Sequence, residues 1–173
     1  RKALPSRIKL IAGIEAHDPA MLVRDGIGAR GAGADGLLVL PPFDIRPYRR
    51  LAQDPESVYK IFAKLDREVG LPMIVFQYPE SSGCAYSTEA LSRIADLPNV
   101  VGVKVSTPEL SHYVEMVEAL KGRVAILPAS DAPPLLGMLL HGAEGALISI
   151  SVVGTSHWSE LIREATRGSA QRA

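Results

Sequence analysis

The 173-residue sequence contains a single cysteine, Cys84, so no internal disulfide can form. It has no apolar run of about 18 residues and no charged-then-apolar leader, which points to a soluble, cytoplasmic protein with no membrane partner. Net charge is also missing: 19 basic side chains cancel 19 acidic ones, and the one short basic run is Arg46, Arg49 and Arg50. A nucleic-acid binder needs a basic face, so a small neutral or anionic metabolite is the better partner. His17, His112, His141 and His157 are scattered with no pair at metal-ligand spacing, and neither a metal nor another cofactor is expected. Cys84 has no basic neighbour in sequence to activate it and reads as a loop or packing residue.

What the chain has is alternation. A chain of this size buries roughly two thirds of its unfolded surface and reads as one domain over residues 1–173. From Arg7 onward, short β-branched runs alternate with amphipathic stretches, the pattern of repeated βα units on a parallel sheet. Six strands are expected, at 8–13, 36–40, 72–78, 100–106, 124–127 and 146–150, each nearly continuous in apolar residues as if covered on both faces. Asp18-Pro19, Asp54-Pro55 and Thr107-Pro108 each put a capping side chain before a proline at the first helical position. Gly70 and Gly122 stand where two of those helices should close. Val58, Ile61, Phe62, Leu65 and Val69 form one apolar helical stripe, and Leu110, Val114, Val117 and Leu120 a second.

Six βα units fit either an open doubly wound sheet or part of an eight-stranded barrel, and composition does not choose between them. A complete (β/α)8 barrel takes about 250 residues. The barrel reading therefore requires roughly two units that this sequence does not contain, and Arg1 to Arg7 read as a chain already in progress. Gly26, Gly28 and Gly31 satisfy the G-x-G-x-x-G spacing of dinucleotide-binding loops. That fingerprint works where a strand ends and a helix begins, because free N–H groups must meet the pyrophosphate. Here it lies at the far end of a helical stretch, and a plain helix-to-strand connection is the expectation.

Lys104 stands inside the apolar run 100–106, where a charge is costly unless it has a use. Period-two geometry sends Val101, Val103 and Val105 towards the helices, and Val100, Gly102, Lys104 and Ser106 to the other face. Gly102 should leave room beside the lysine stem. A desolvated lysine has a lowered pKa and can attack a carbonyl at neutral pH. Position alone equally allows a lysine that snorkels to solvent at the strand end.

The segment Phe76-Gln77-Tyr78-Pro79-Glu80-Ser81-Ser82-Gly83, then Leu97-Pro98-Asn99-Val100-Val101-Gly102-Val103-Lys104, resembles the second signature of the dihydrodipicolinate synthase / N-acetylneuraminate lyase family, Y-N-x-P-x-x-[ST]-G followed by a glycine two residues before a lysine. The separation, 104 − 76 = 28 positions, is the one that family keeps between its tyrosine and lysine. Ile11-Ala12-Gly13, Gly33-Ala34-Asp35-Gly36 and Gly142-Ala143-Glu144-Gly145 follow in the family's order, so the resemblance covers nearly the whole chain. It implies a (β/α)8 TIM barrel of which this chain supplies about strands three to eight. It also implies Lys104 as the Schiff-base amine near the C-terminal end of a strand, and a homo-oligomer, dimer or tetramer.

The departures matter as much. The position of the family's relay tyrosine is Phe76, which has no hydroxyl to give. The family's Tyr-Tyr pair reads Pro42-Phe43, and the arginine that binds a distal carboxylate in the synthases aligns with Ser81. Tyr78 shares the parity of Phe76 and is a substitute proton donor if the strand runs straight; Pro79 can equally bend it into loop packing. Tyr48 and Tyr86 have weaker claims. Ser130 and Asp131 either touch substrate or cap the next helix. Ser149 and Ser151 are candidates for the mouth of the last strand. The expected site is therefore Lys104 and Tyr78 for catalysis, with Phe76, Phe43, Ser81, Ser106, Ser130 and Ile148 around the substrate. The implied function is a Schiff-base lyase or aldolase acting on pyruvate or another 2-keto acid. The alternative is an impaired member that binds a keto acid or sugar without turnover, supported by the missing hydroxyls at Phe76 and Phe43.

Overall fold

A computed structural model describes residues 2–15, 18–41, 51–131 and 133–167. Pro42, Phe43, Tyr48, His17 and the run Arg46, Arg49 and Arg50 lie outside them. Five parallel strands follow one another, β1 (Ile11–Ile14), β2 (Gly36–Val39), β3 (Met73–Gln77), β4 (Val100–Val105) and β5 (Ala125–Pro128), and their order in the sheet is their order in the chain. A doubly wound sheet requires that order to reverse at a switch point, and here it does not. By the right-handed rule for parallel crossovers, successive neighbours put the described connecting helices on one face. The helices α1 (Pro19–Gly31), α2 (Pro55–Val69), α3 (Thr88–Ile94), α4 (Leu110–Leu120), α5 (Pro134–Leu140) and α6 (Thr155–Thr166) accordingly pack each against the next.

The core fills the space between sheet and helices. Leu37, Val39, Met73, Val75, Val103, Val105 and Ile126 point into it from the strands, against Phe62, Leu65, Val69, Leu91 and Tyr113. Leu38, Ile74, Phe76, Lys104 and Leu127, which alternate with these, are only partly buried on the other face. Asp18 and Asp54 cap α1 and α2 as expected, accepting from Ala20 N at 2.8 Å and Glu56 N at 3.2 Å, and Gly70 closes α2 with φ 65°. The G-x-G-x-x-G glycines fall within α1, away from any strand-to-helix turn. Gly26 has a packing reason instead, since a Cβ there would lie 2.9 Å from Val69 Cγ2 on α2. Gly26→Ala should therefore cost about 1–2 kcal/mol, the overpacking penalty less the helix-propensity gain, read as a lower denaturant midpoint. Adding Val69→Ala should relieve part of that loss, so the double variant falls short of the summed singles.

Several details differ from the sequence reading. The first strand starts at Ile11, because residues before it turn, Ile8 N donating to Pro5 O at 3.0 Å. A register shift between Met73 and Ile74 opposite Val100–Gly102 breaks the alternation. Val100 therefore joins the helix-side core at 5% exposure while Val101 is 47% exposed, the reverse of the simple period-two assignment. Thr107 does not cap α4: its hydroxyl accepts from Glu109 N at 3.2 Å and the helix begins at Leu110. The buried stripe of α4 is then Tyr113, Met116, Val117 and Leu120, with Leu110 exposed. Tyr113 has the larger ring to bury and finds an acceptor at Met138 O, 3.1 Å away.

The sixth expected strand, 146–150, does not form; a 3₁₀ turn occupies Ser149–Val152. Its approach to β5 is nevertheless built like that of β2 to β1. Asp35 N donates to Leu10 O at 2.8 Å while its carboxylate accepts from Leu10 N at 2.9 Å. Glu144 N likewise donates to Ile126 O at 3.1 Å while its carboxylate accepts from Ile126 N at 2.5 Å. The next bond, Leu147 N to Pro128 O at 2.9 Å, comes three residues after Glu144 where a parallel ladder needs two. That extra residue prevents regular pairing.

Candidate active site

The face of the sheet turned away from the helices carries Lys104. Val103 and Val105 on either side are buried at 1% and 0% exposure, so the strand fixes the direction of the lysine between them. Its register partner on β3 is Phe76, and Nζ lies 4.1 Å from the centroid of that ring. The room expected at Gly102 is already taken, since a Cβ there would meet Ala125 O at 3.2 Å and Ile74 Cγ1 at 3.7 Å. Burial pushes the Lys104 ammonium below its ordinary pKa of 10.5, and the negative charge of Asp131 pulls it partly back. The amine is thus half-buried and gives up its proton more readily than a lysine free in water.

Tyr78 follows β3 and packs on Phe76, ring centroids 4.5 Å apart at 52°. Burial raises its pKa, and the negative charge of Glu15 raises it further, so the phenol stays protonated and able to donate. Lys104, Phe76 and Tyr78 therefore form one continuous stack. Ser81, Ser106 and Ser130 are gathered elsewhere: with Thr107 and Asp131 they line a cleft of about 380 Å³ between the loops that follow β3, β4 and β5. Helix α5 starts at Pro134 with no side-chain cap, so the capping role weighed for Ser130 and Asp131 is not realised.

One expected member is not in this group. Ile148 is 8% exposed in a satellite cluster with Leu135, Leu139, Ala143 and Ala165, because the last segment is held by packing under α5 and α6 in place of strand pairing. Phe43 lies outside the described residues. Ser149 is exposed, and Ser151 Oγ is used locally, donating to Ile148 O at 2.7 Å. Cys84 is buried. Among the described residues, no three His, Cys, Asp or Glu side chains converge as a metal site would need. No helix there is long and apolar enough to cross a membrane.

Three polar residues hold the loops around the site in ways the sequence reading did not assign to them. Gln77, 3% exposed on the helix side of β3, donates to Tyr86 O and accepts from Tyr86 N, both at 2.9 Å, which closes the base of the loop after β3. Its signal was an amide at a core-facing parity, since a buried amide must be bonded. Thr107, 2% exposed, donates to Glu80 Oε2 at 3.2 Å. The other Glu80 oxygen lies 3.3 Å from His112 Nδ1. No local spacing announces contacts across 27 and 32 residues.

A singly wound parallel α/β sheet with an amine and a hydroxyl-lined cleft near its strand ends is the class of protein seen here. The profile of the dihydrodipicolinate synthetase family matches residues 1–173, and the chain belongs to that family. It is 31% identical over 173 residues to the 4-hydroxy-tetrahydrodipicolinate synthase of Aquifex aeolicus (strain VF5), covering 99% of this chain and 56% of that protein. The crystal structure of dihydrodipicolinate synthase from Aquifex aeolicus superposes with a TM-score of 0.84 at 30% identity, over 97% of this chain and 55% of that one. That of the chloride-inhibited dihydrodipicolinate synthase from Acinetobacter baumannii complexed with pyruvate gives a TM-score of 0.86 at 26% identity, with coverage of 97% and 55%. The chain thus spans about half the length of these relatives.

Proposed function

We propose that this chain supplies strands three to eight of a (β/α)8 barrel in which Lys104 forms a Schiff base with pyruvate or another 2-keto acid, in a lyase or aldolase reaction. The observation that carries the proposal is the half-buried amine with a depressed pKa, stacked on Phe76 on the helix-free face of the sheet. A barrel encloses that face and places its chemistry at the C-terminal ends of its strands, where Lys104 stands. The neutral amine adds to the ketone carbon and the ketone oxygen leaves as water with the two amine protons; once protonated, the imine takes up the electron pair of a carbon–carbon bond being broken, and as the enamine it donates that pair to a bond being made. Tyr78, kept protonated by burial, is the proton donor of this scheme. Assembly into a homo-oligomer belongs to the same proposal and rests on the family resemblance.

The serine-lined cleft, whose Asp131 carboxylate acts on the charge of this amine, bears on the groups that the keto acid carries beyond its carbonyl. Its described lining offers the hydroxyls of Ser81, Ser106 and Ser130 and the carboxylate of Asp131, with no Lys or Arg among the lining residues. A neutral, hydroxylated carbonyl compound suits that lining better than one with a distal carboxylate.

A second reading, binding without turnover, draws on the absence of a hydroxyl at Phe76. Borohydride treatment of the full-length protein with pyruvate separates the two from a third outcome. A reduced adduct on Lys104 with measurable cleavage or condensation supports the lyase, and an adduct without turnover supports the binder. No adduct with pyruvate or other small 2-keto acids defeats the imine altogether.

A further inference from the structure

We propose that Glu80 is a positioning residue that sets the spacing between Ser81 and Ser106 across the keto-acid cleft, acting through the buried hydroxyl of Thr107; this rests on the Schiff-base reading of the cleft. The two walls of the cleft belong to separate loops, one after β3 and one after β4. Main-chain pairing holds those loops together as far as Gln77 and Val105, with one more bond from Ser106 N to Gln77 O at 3.0 Å. Beyond that point Ser81 sits on a 3₁₀ turn, Glu80–Ser82, which is closed on itself. Ser82 N donates to Pro79 O at 2.9 Å, Gly83 N to Glu80 O at 3.0 Å, and Cys84 N to Ser82 Oγ at 3.0 Å, with Gly83 at φ 70°. A turn closed in this way moves as a unit, so whatever holds one of its residues holds Ser81.

Glu80 holds it from two directions. One carboxylate oxygen accepts from Thr107 Oγ1 at 3.2 Å, and the other lies 3.3 Å from His112 Nδ1 in the first turn of α4. Thr107 is 2% exposed and directly follows Ser106, so its hydroxyl links the Ser81 turn to the opposite wall. The same hydroxyl accepts from Glu109 N at 3.2 Å, which fixes its orientation. Glu80 and His112 also line a second cleft of about 340 Å³, together with Gln77, Tyr86 and Glu115. The Glu80–Thr107 bond is thus the partition between the two clefts, and its loss lets the Ser81 turn relax towards the second. A buried hydroxyl left without its acceptor drives that relaxation.

The test is the pyruvate concentration that gives half-maximal borohydride-trapped adduct on Lys104 in the full-length protein. Glu80→Ala should raise it about tenfold, the scale of one lost hydrogen bond to a charged group, with the trapping rate at saturation within about twofold of wild type. Glu80→Gln keeps an acceptor for Thr107 and should recover to within about threefold of wild type. Thr107→Val should match Glu80→Ala, Thr107→Ser should match wild type, and the double variant Glu80→Ala/Thr107→Val should be no worse than its worse parent. A wild-type adduct with half-saturation unchanged in Glu80→Ala overturns the positioning role alone. So do independent, multiplying effects in the double variant, or Glu80→Gln as impaired as Glu80→Ala. No adduct in the wild type overturns the Schiff-base reading and this inference with it.

Discussion

Lys104→Met should abolish the trapped keto-acid adduct and lower turnover by at least about 10⁴-fold, the scale set by loss of a nucleophile. Methionine fills much the same volume beside Phe76, so the sheet should stay intact. The fold should gain stability at neutral pH, because the folded protein no longer half-buries a charge there. The pH dependence gives a sharper check. The lysine pKa is lower in the folded than in the unfolded chain, so unfolding takes up protons between the two values. Wild-type stability therefore rises as pH climbs through the depressed folded pKa towards the ordinary 10.5, and is lowest below it. The advantage of Lys104→Met in a denaturant titration should be largest below the folded pKa and fade towards pH 10.5. Adduct formation by the wild type should rise over the same window as the amine loses its proton. An unchanged adduct yield in Lys104→Met would remove this residue from the chemistry.

Tyr78→Phe should reduce turnover by about 10²- to 10³-fold while leaving the adduct at Lys104 trappable, since proton transfer by a positioned group contributes on that scale and imine formation needs the amine first. Phe76→Tyr in the Tyr78→Phe background should restore part of the loss. The ring of Phe76 already lies under Nζ and against Tyr78, so a hydroxyl on it starts within the same stack. The single variant Phe76→Tyr should raise turnover if the donor is limiting. Steady-state kinetics alongside borohydride trapping separates these steps. Equal loss of adduct and turnover in Tyr78→Phe would assign the tyrosine to packing.

Much of the architecture could be read before any coordinates because it follows from local rules. Asp18 and Asp54 ahead of prolines mark helix starts, and the apolar run from Val100 to Val105 marks a strand. The facing of Lys104 follows from the alternation around it. What escaped depends on partners distant in the chain. The register shift that exchanges Val100 and Val101 arises from how β4 meets β3, and no window on β4 alone contains it. The α4 stripe was assigned to Leu110 and Val114 because aliphatic spacing allowed it, whereas Tyr113 wins the buried side by finding Met138 O on another helix. The last strand was expected from composition, yet the unmatched residue between Glu144 and Leu147 is a geometric fact about pairing with β5. Ser81, Ser106 and Ser130 lie far apart in sequence and share a cleft because three strand ends are neighbours. The bond between Glu80 and Thr107, the latter read only as a helix cap, escaped for the same reason, being visible only once two loops are side by side.

The paired carboxylate contacts of Asp35 and Glu144 carry one more implication. Each fastens the entry of a segment to its neighbour by a residue's own amide and side chain together, at the edge opposite Lys104 and the serine-lined cleft. The register of β2 on β1 is therefore decided, and the last segment anchored beside β5, before the chain reaches the rim that carries Lys104. Evolution can exchange residues on that rim, a serine for an arginine or a phenylalanine for a tyrosine, without unsettling the scaffold beneath, and so can try new chemistry at small structural risk.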